Sequence, residues 1–181
     1  MNFSRLEEGW RFSLVALYAD RRAHGLGPGP ALPMEMAPDL GLTFEELRTF
    51  NDSVLAAVDR MKAHERTIAQ VKSGADGDFY SIPAYTSERE AIMNAFRREV
   101  TVALAEKSRI VLDLIEASPY LTAGDYGTTI SAALHNGVTG VELSQGTYQI
   151  AGPYESDAGE FILSRYGHLI NFPAIDRASK K

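Results

Sequence analysis

Hydrophobic residues recur at alternating steps of three and four over residues 44–72. The positions are Leu47, Phe50, Val54, Ala57, Met61, His64, Ile68 and Val71. This spacing places the side chains on one face of a helix and is typical of a seam against a second helix of similar length. Thr43 and Glu46 precede the series as a capping box, in which each side chain binds the other residue's backbone amide. The pattern therefore predicts a helix over residues 44–72.

A second long helical pattern spans residues 87–118 and supplies the expected partner for this seam. It begins with a further capping box, Ser87 and Glu90, and it ends before Pro119 because proline cannot continue a helix. Its apolar stripe comprises Ile92, Met93, Phe96, Val100 and Leu104. The connection, residues 73–86, is short, and short connections between helices predict antiparallel neighbours. We therefore expect a long antiparallel helical hairpin.

Both ends of the chain are expected to pack on this hairpin. Residues 4–23 carry a helical apolar face and begin with Ser4 and Glu7, a third capping box. Residues 122–164 contain no Lys or Arg and are punctuated by glycine. Within them the segments VELS, TYQI and EFILS, and HLINF beyond, have strand-like composition, whereas residues 128–134 fit a short helix.

The combined patterns predict a mainly α fold. A long antiparallel helical hairpin is braced by an N-terminal helix, and a small glycine-rich α+β unit follows at the C-terminus. The expected division is a helical domain of residues 1–121, with helices at 4–23, 44–72 and 87–118, and a C-terminal unit of residues 122–181.

Composition and charge narrow the function classes. The 181 residues include no cysteine, which excludes disulfides, thiolate metal ligands and cysteine nucleophiles. The net charge of −6 argues against a nucleic-acid partner, since such proteins present a basic face. No apolar run approaches the length of a membrane span, and Glu7 and Glu8 stand where a signal peptide needs apolar residues. We therefore expect a soluble chain without signal peptide, in a compartment that the sequence does not assign.

His64 is the candidate for cofactor binding, because it occupies a seam position between Met61 and Ile68. Imidazole can change charge near neutral pH or bind a cofactor. The alternative, which the sequence favours, is a polar seam residue that sets the helix register. A zinc-protease helix would need its second histidine at Ile68, and no Glu-x-x-His pair is present for a di-iron site. The sequence therefore predicts no metal site.

Three residues are candidates for catalysis: Asp113, His135 and His168. Asp113 interrupts an apolar run, so enclosure would raise its pKa and suit it to acid–base chemistry. The alternative is a carboxylate that faces water or pairs with Arg109 one turn earlier. His135 precedes a predicted Asn-Gly helix stop, and His168 precedes an apolar run. No nucleophile elbow, phosphate loop or dinucleotide fingerprint accompanies these residues.

The sequence favours a non-catalytic helical interaction or sensory module, because its ordered features all serve architecture. Apolar edges on both sides of the seam make self-association into a homodimer the natural partner hypothesis. The alternative is a small-molecule or metal-dependent enzyme with a pocket between the hairpin and the C-terminal unit. Glycine-bearing turns and tyrosines in this unit would line such a cleft. The tyrosines are Tyr126, Tyr148, Tyr154 and Tyr166.

Overall fold

A computed structural model describes residues 29–74, 77–115, 118, 120–135, 138–153 and 156–170. These residues form helices and one five-stranded antiparallel sheet. In chain order the elements are α1 (Phe44–Ile68), β1 (Gln70–Gly74), β2 (Gly77–Ile82), α2 (Thr86–Leu104), α3 (Ser108–Ile115), β3 (Thr128–His135), β4 (Val138–Gln145), β5 (Tyr148–Pro153) and α4 (Asp157–Tyr166). The predicted helix at residues 4–23 lies outside the described residues. No helix in the described ranges is both long and apolar enough to cross a membrane.

The predicted mainly α fold with its long helical hairpin is wrong, because the connection between α1 and α2 is itself β-structure. Strands β1 and β2 form a hairpin, and β2 continues into the sheet by pairing with β3. Tyr80 and Ile82 are buried while Phe79 and Ser81 are exposed. This alternation is the period of a half-buried strand. The sheet thus draws strands from both sides of residue 121, and the division into two domains there stays a prediction.

The capping box at Thr43 is confirmed and fixes the start of α1. The Thr43 side chain accepts a hydrogen bond of 3.1 Å from the backbone amide of Glu46, and Glu46 accepts one of 2.7 Å from that of Thr43. Lys107 also donates to the Glu46 carboxylate, at 2.8 Å. The end of α1 differs from the prediction, because Val71 and Lys72 lie in β1.

The predicted helix at residues 87–118 is two helices. Helix α2 ends at Leu104, and a turn of 3-10 helix, Ala105–Lys107, precedes α3. Ala105 has a positive φ of 49°, which an α-helix cannot accommodate. The expected Ser87 capping box is absent, since α2 begins one residue earlier, after Tyr85, without a side-chain cap. Glu90 pairs instead with Arg89 at 2.7 Å.

The C-terminal predictions are partly correct. The segment VELS lies in β4, and the last three residues of TYQI lie in β5, as expected. The short helix predicted at residues 128–134 is strand β3, and EFILS, predicted as a strand, lies in α4. Ser156 caps α4, because its hydroxyl accepts a 3.2 Å hydrogen bond from the Gly159 amide. Most of the HLINF segment lies in a turn or outside the described residues.

Two apolar cores result from this arrangement. In the first, seam positions of α1 pack against α2 and α3, and the seam residues from Leu47 to Met61 are fully buried as predicted. The ring centroids of Phe50 and Phe96 are 6.2 Å apart. In the second, α4 covers one face of the sheet. A row in register across β2 to β5, Tyr80, Ile130, Leu143 and Ile150, lies on that face.

Candidate functional site

Glu65 lies in the last turn of α1 and is completely buried. Its carboxylate receives two parallel hydrogen bonds from Arg165 of α4. Nη1 donates to Oε2 at 2.8 Å, and Nη2 donates to Oε1 at 2.5 Å. Arg165 is also fully buried. This bidentate geometry is the strongest pairing available to the two side chains.

Two further side chains surround the Glu65 carboxylate. The Tyr85 hydroxyl donates to Oε1 in a short hydrogen bond. The Nε2 atom of His168 lies 3.2 Å from Oε2, within ion-pair distance although not aligned as a hydrogen bond. Glu65, Tyr85, Arg165 and His168 are called the Glu65 cluster below. Its members come from α1, the start of α2, α4 and the turn that follows α4.

The end of α4 is attached to α1 and to the sheet by additional contacts. The Arg165 guanidinium carbon lies 4.6 Å from the centroid of the Tyr166 ring, which is buried in the sheet core. Lys62 of α1 donates a 3.1 Å hydrogen bond to the carbonyl oxygen of Ser164. The cluster therefore lies where the two apolar cores meet.

The electrostatics of the cluster favour an ionised carboxylate. Burial by itself raises the pKa of Glu65, but the approach of His168, the hydrogen bonds from Arg165 and Tyr85, and the charge of Arg165 outweigh it and lower the pKa to about 2. Burial, together with the Glu65 charge and hydrogen bond, raises the pKa of Tyr85. At neutral pH the cluster thus contains a carboxylate, a guanidinium and a neutral phenol.

This arrangement is poorly suited to acid–base catalysis. A carboxylate with a pKa near 2 is a weak base at neutral pH, and catalytic bases have values closer to the working pH. The Glu65 and Arg165 side chains are only 1% and 0% exposed, so a substrate cannot reach them in this conformation. The arrangement instead pairs a buried charge on α1 with one on α4 and so links these two helices.

The structure brings two of the four sequence candidates to the cluster. His168 is a member, and the half-buried His64 ring lies 5.1 Å from the Tyr85 ring between centroids. Asp113 lies on α3 with its side chain 74% exposed, 3.8 Å from Arg109 Nε. His135 is the last residue of β3, and its side chain is outside the described part of the molecule.

Glu65, Tyr85 and Arg165 were not identified from the sequence, although a signal for Arg165 exists. Ser156 and the apolar residues after it fit a capped helix, and in a helix Ile162, Arg165 and Tyr166 share one face. An arginine on an apolar face predicts a buried charge that needs a partner. Interpretation of this segment as a strand hid that signal.

The described residues contain no group of three or more side chains arranged to hold a metal ion. Comparisons of the chain with family models, with curated proteins and with solved structures gave no significant match.

Gly124 is required for the position of Tyr85, which makes it a test of the cluster. Its φ is +101°, and an added Cβ would lie 2.7 Å from two atoms of the Tyr85 ring. That ring is held by its hydrogen bond to Glu65 and by the bond of its backbone amide to the Gly124 carbonyl, at 2.9 Å. We expect Gly124→Ala to lower the free energy of unfolding by roughly 2–4 kcal/mol, measured by urea denaturation.

Gly41→Ala is the control for a positive φ without a side-chain contact. Gly41 also has a positive φ, +65°, but a Cβ there meets no atom within 4 Å. This variant should lose only about 1 kcal/mol. Equal losses in the two variants would show that the Tyr85 contact contributes nothing.

Proposed function

We propose that this chain is a non-catalytic interaction module whose buried Glu65 cluster holds the sheet and α4 in a fixed position on the helices. One observation carries the proposal: the charged side chains of Glu65 and Arg165 are fully buried and pair with each other rather than with an exposed group. Such a pair stabilises the fold, and a partner would bind to the exposed surface of the molecule. The net charge of −6 disfavours nucleic acid as the partner.

The energetics of buried ions support a structural role. Moving a charged side chain out of water costs several kcal/mol, and only a well-aligned partner offsets this cost. In the cluster the carboxylate has Arg165 on both oxygens and a tyrosine hydroxyl on one. Any displacement of α4 from α1 would leave two buried charges unpaired. The cluster thus disfavours any other position of α4 on α1.

A small-molecule enzyme is the second candidate, and a specific observation favours it. Arg165 Nε and His168 Nδ1 are buried and have no hydrogen-bond partner among the described residues. Buried polar atoms are usually paired, so a ligand at this position would satisfy them. The cluster also lies between the helices and the C-terminal residues, where the sequence placed a pocket. The low pKa of Glu65 and the enclosure of the cluster argue against this candidate.

Native mass spectrometry distinguishes the two candidates. For the interaction module we expect wild-type protein without a stoichiometric small-molecule or metal adduct, and the same composition for His168→Ala. Asp113→Asn is the control, because this side chain is exposed and away from the cluster. An adduct present in the wild type and the control but lost from His168→Ala would overturn the proposal and identify the cluster as a ligand site.

A further inference from the structure

On the face of the sheet opposite α4, residues of neighbouring strands line up in rows across the sheet. Its side chains alternate with buried ones along β2, β3 and β4. One row crosses all five strands and consists of uncharged polar residues. In strand order they are Gln70, Ser81, Thr129, Ser144 and Gln149. This face is called the outer face below.

The next row of the outer face carries its charges. In strand order it consists of Lys72, Phe79, Ser131, Glu142 and Ala151. Lys72 and Glu142 are the charged side chains on this face within the described ranges, on the first and fourth strands. Phe79, 44% exposed, lies between them. The third row is formed by small residues, including Gly77, Gly140 and Pro153.

We propose that the outer face binds the outer face of a second copy of this chain about a two-fold axis parallel to the strands. This inference deepens the proposed function, on which it rests, by naming the surface and the partner. An axis that passes between β2 and β3 places β1 of one copy over β4 of the other. Lys72 then faces Glu142 of the second copy, and symmetry repeats this pair.

The spacing of the strands makes this pairing symmetric. Neighbouring strands are about 4.8 Å apart, so Lys72 and Glu142 lie about 14 Å apart in one copy, at equal distances from the axis. Packed sheets are about 10 Å apart, which extended lysine and glutamate side chains can span together. The Glu142 carboxylate is held on the face by a hydrogen bond from the Gln149 amide.

The other rows are compatible with the same axis. Ser81 of one copy faces Thr129 of the other, and Gln70 faces Ser144, so hydroxyl and amide groups meet groups that can bind them. Phe79 faces Ser131, and the small third row allows close approach. The face therefore complements itself in charge and, apart from Phe79, in polarity.

Edge-to-edge pairing of two sheets is the less favourable arrangement. Lys72 is the middle residue of β1, so antiparallel pairing of two β1 strands would place like charges opposite each other. At the other edge Pro153 ends β5 and lacks an amide donor. Both edges thus carry features that oppose pairing with another strand. Among the described residues, the outer face carries no such feature against face-to-face packing.

The contact is small, so we expect a weak and reversible dimer. Four strands of about five residues cover roughly 350 Å² per copy, less than half of the ~800 Å² per partner in a standard interface. The dissociation constant should be on the order of 100 µM. Salt should weaken the dimer, because ion pairs at a surface are screened.

Sedimentation at about 20–500 µM protein tests the proposal with a charge swap. We expect the wild type to dimerise with rising concentration. Lys72→Glu and Glu142→Lys should each be monomeric, because each places like charges opposite one another twice. The double variant restores both pairs and should dimerise again. Arg98→Glu, the same charge change on the exposed surface of α2, should behave as the wild type.

Three results would overturn the inference: a wild type that stays monomeric, single variants that still dimerise, or a folded double variant that stays monomeric. Far-UV circular dichroism confirms that each variant is folded. These results do not test the proposed function. That proposal fails only if native mass spectrometry finds an adduct that depends on His168, whether the protein is a monomer or a dimer.

Discussion

Val54→Asp should unfold the protein under conditions in which Leu55→Asp remains folded. Val54 is fully buried in the first core, whereas its neighbour Leu55 is 44% exposed. A carboxylate at position 54 would have to stay charged without a partner or take up a proton, at a cost of several kcal/mol. Such a cost is comparable with the ~5–15 kcal/mol that stabilises a typical domain.

Urea denaturation followed by far-UV circular dichroism measures this difference. The two variants introduce the same residue into adjacent positions of one helix, so helix propensity and net charge are matched. Leu55→Asp should lie within about 1 kcal/mol of the wild type. A Val54→Asp variant with the wild-type midpoint would show that the first core is placed incorrectly.

Removal of one charged partner from the Glu65 cluster should also lower the free energy of unfolding substantially. Arg165→Met leaves the Glu65 carboxylate buried without its cation and should lower the free energy of unfolding by about 3–5 kcal/mol. The double variant Glu65→Leu with Arg165→Met removes both charges and should recover much of this loss. A double-mutant cycle measured by urea denaturation gives the coupling between the two side chains.

The exposed pair of Arg60 and Glu99 is the control for this cycle. These side chains are 2.8 Å apart and are 43% and 40% exposed. Arg60→Met should change the free energy of unfolding by no more than about 1 kcal/mol, because water and salt screen an exposed pair. Similar losses for Arg60→Met and Arg165→Met would contradict the structural role of the cluster.

The cluster also predicts how stability depends on pH. Glu65 has a pKa of about 2 in the folded protein against 4.5 for the free group. Between these values the unfolded chain binds the proton more readily, so the contribution of Glu65 is complete above about pH 5 and decreases as pH falls toward 2. The loss should be on the order of 3 kcal/mol in the wild type. The Glu65→Leu, Arg165→Met double variant should lose less stability than the wild type over this range by that amount, as measured by urea denaturation at each pH.

The sequence correctly predicted features that depend on residues within about one helical turn. The buried seam from Leu47 to Met61 follows from a period that every helix shares. The capping box of Thr43 and Glu46 joins residues three positions apart. Strands β4 and β5 were recognisable because short β-prone runs are separated by glycine turns.

The sheet could not be predicted to the same extent, since pairing joins distant residues. Tyr80 of β2 lies opposite Ile130 of β3, and this partnership gives the connection at residues 73–86 its structure. Residues 131–134 are Ser-Ala-Ala-Leu, which favour a helix locally, and the pairing of β3 on both sides overrides that preference. Because β1 and β2 occupy this connection, the described residues form no long helical hairpin, although Phe50 of α1 packs against Phe96 of α2.

By itself the sequence determined where α1 begins and which of its faces is buried, because helical period and capping act within one turn. Only the tertiary structure decided the site. Glu65 and Arg165 are 100 positions apart, and Tyr85 and His168 reach the same carboxylate from other elements. A buried charge is stable only beside its partner, and that proximity is set by the packing of α4 against α1 rather than by any spacing along the chain.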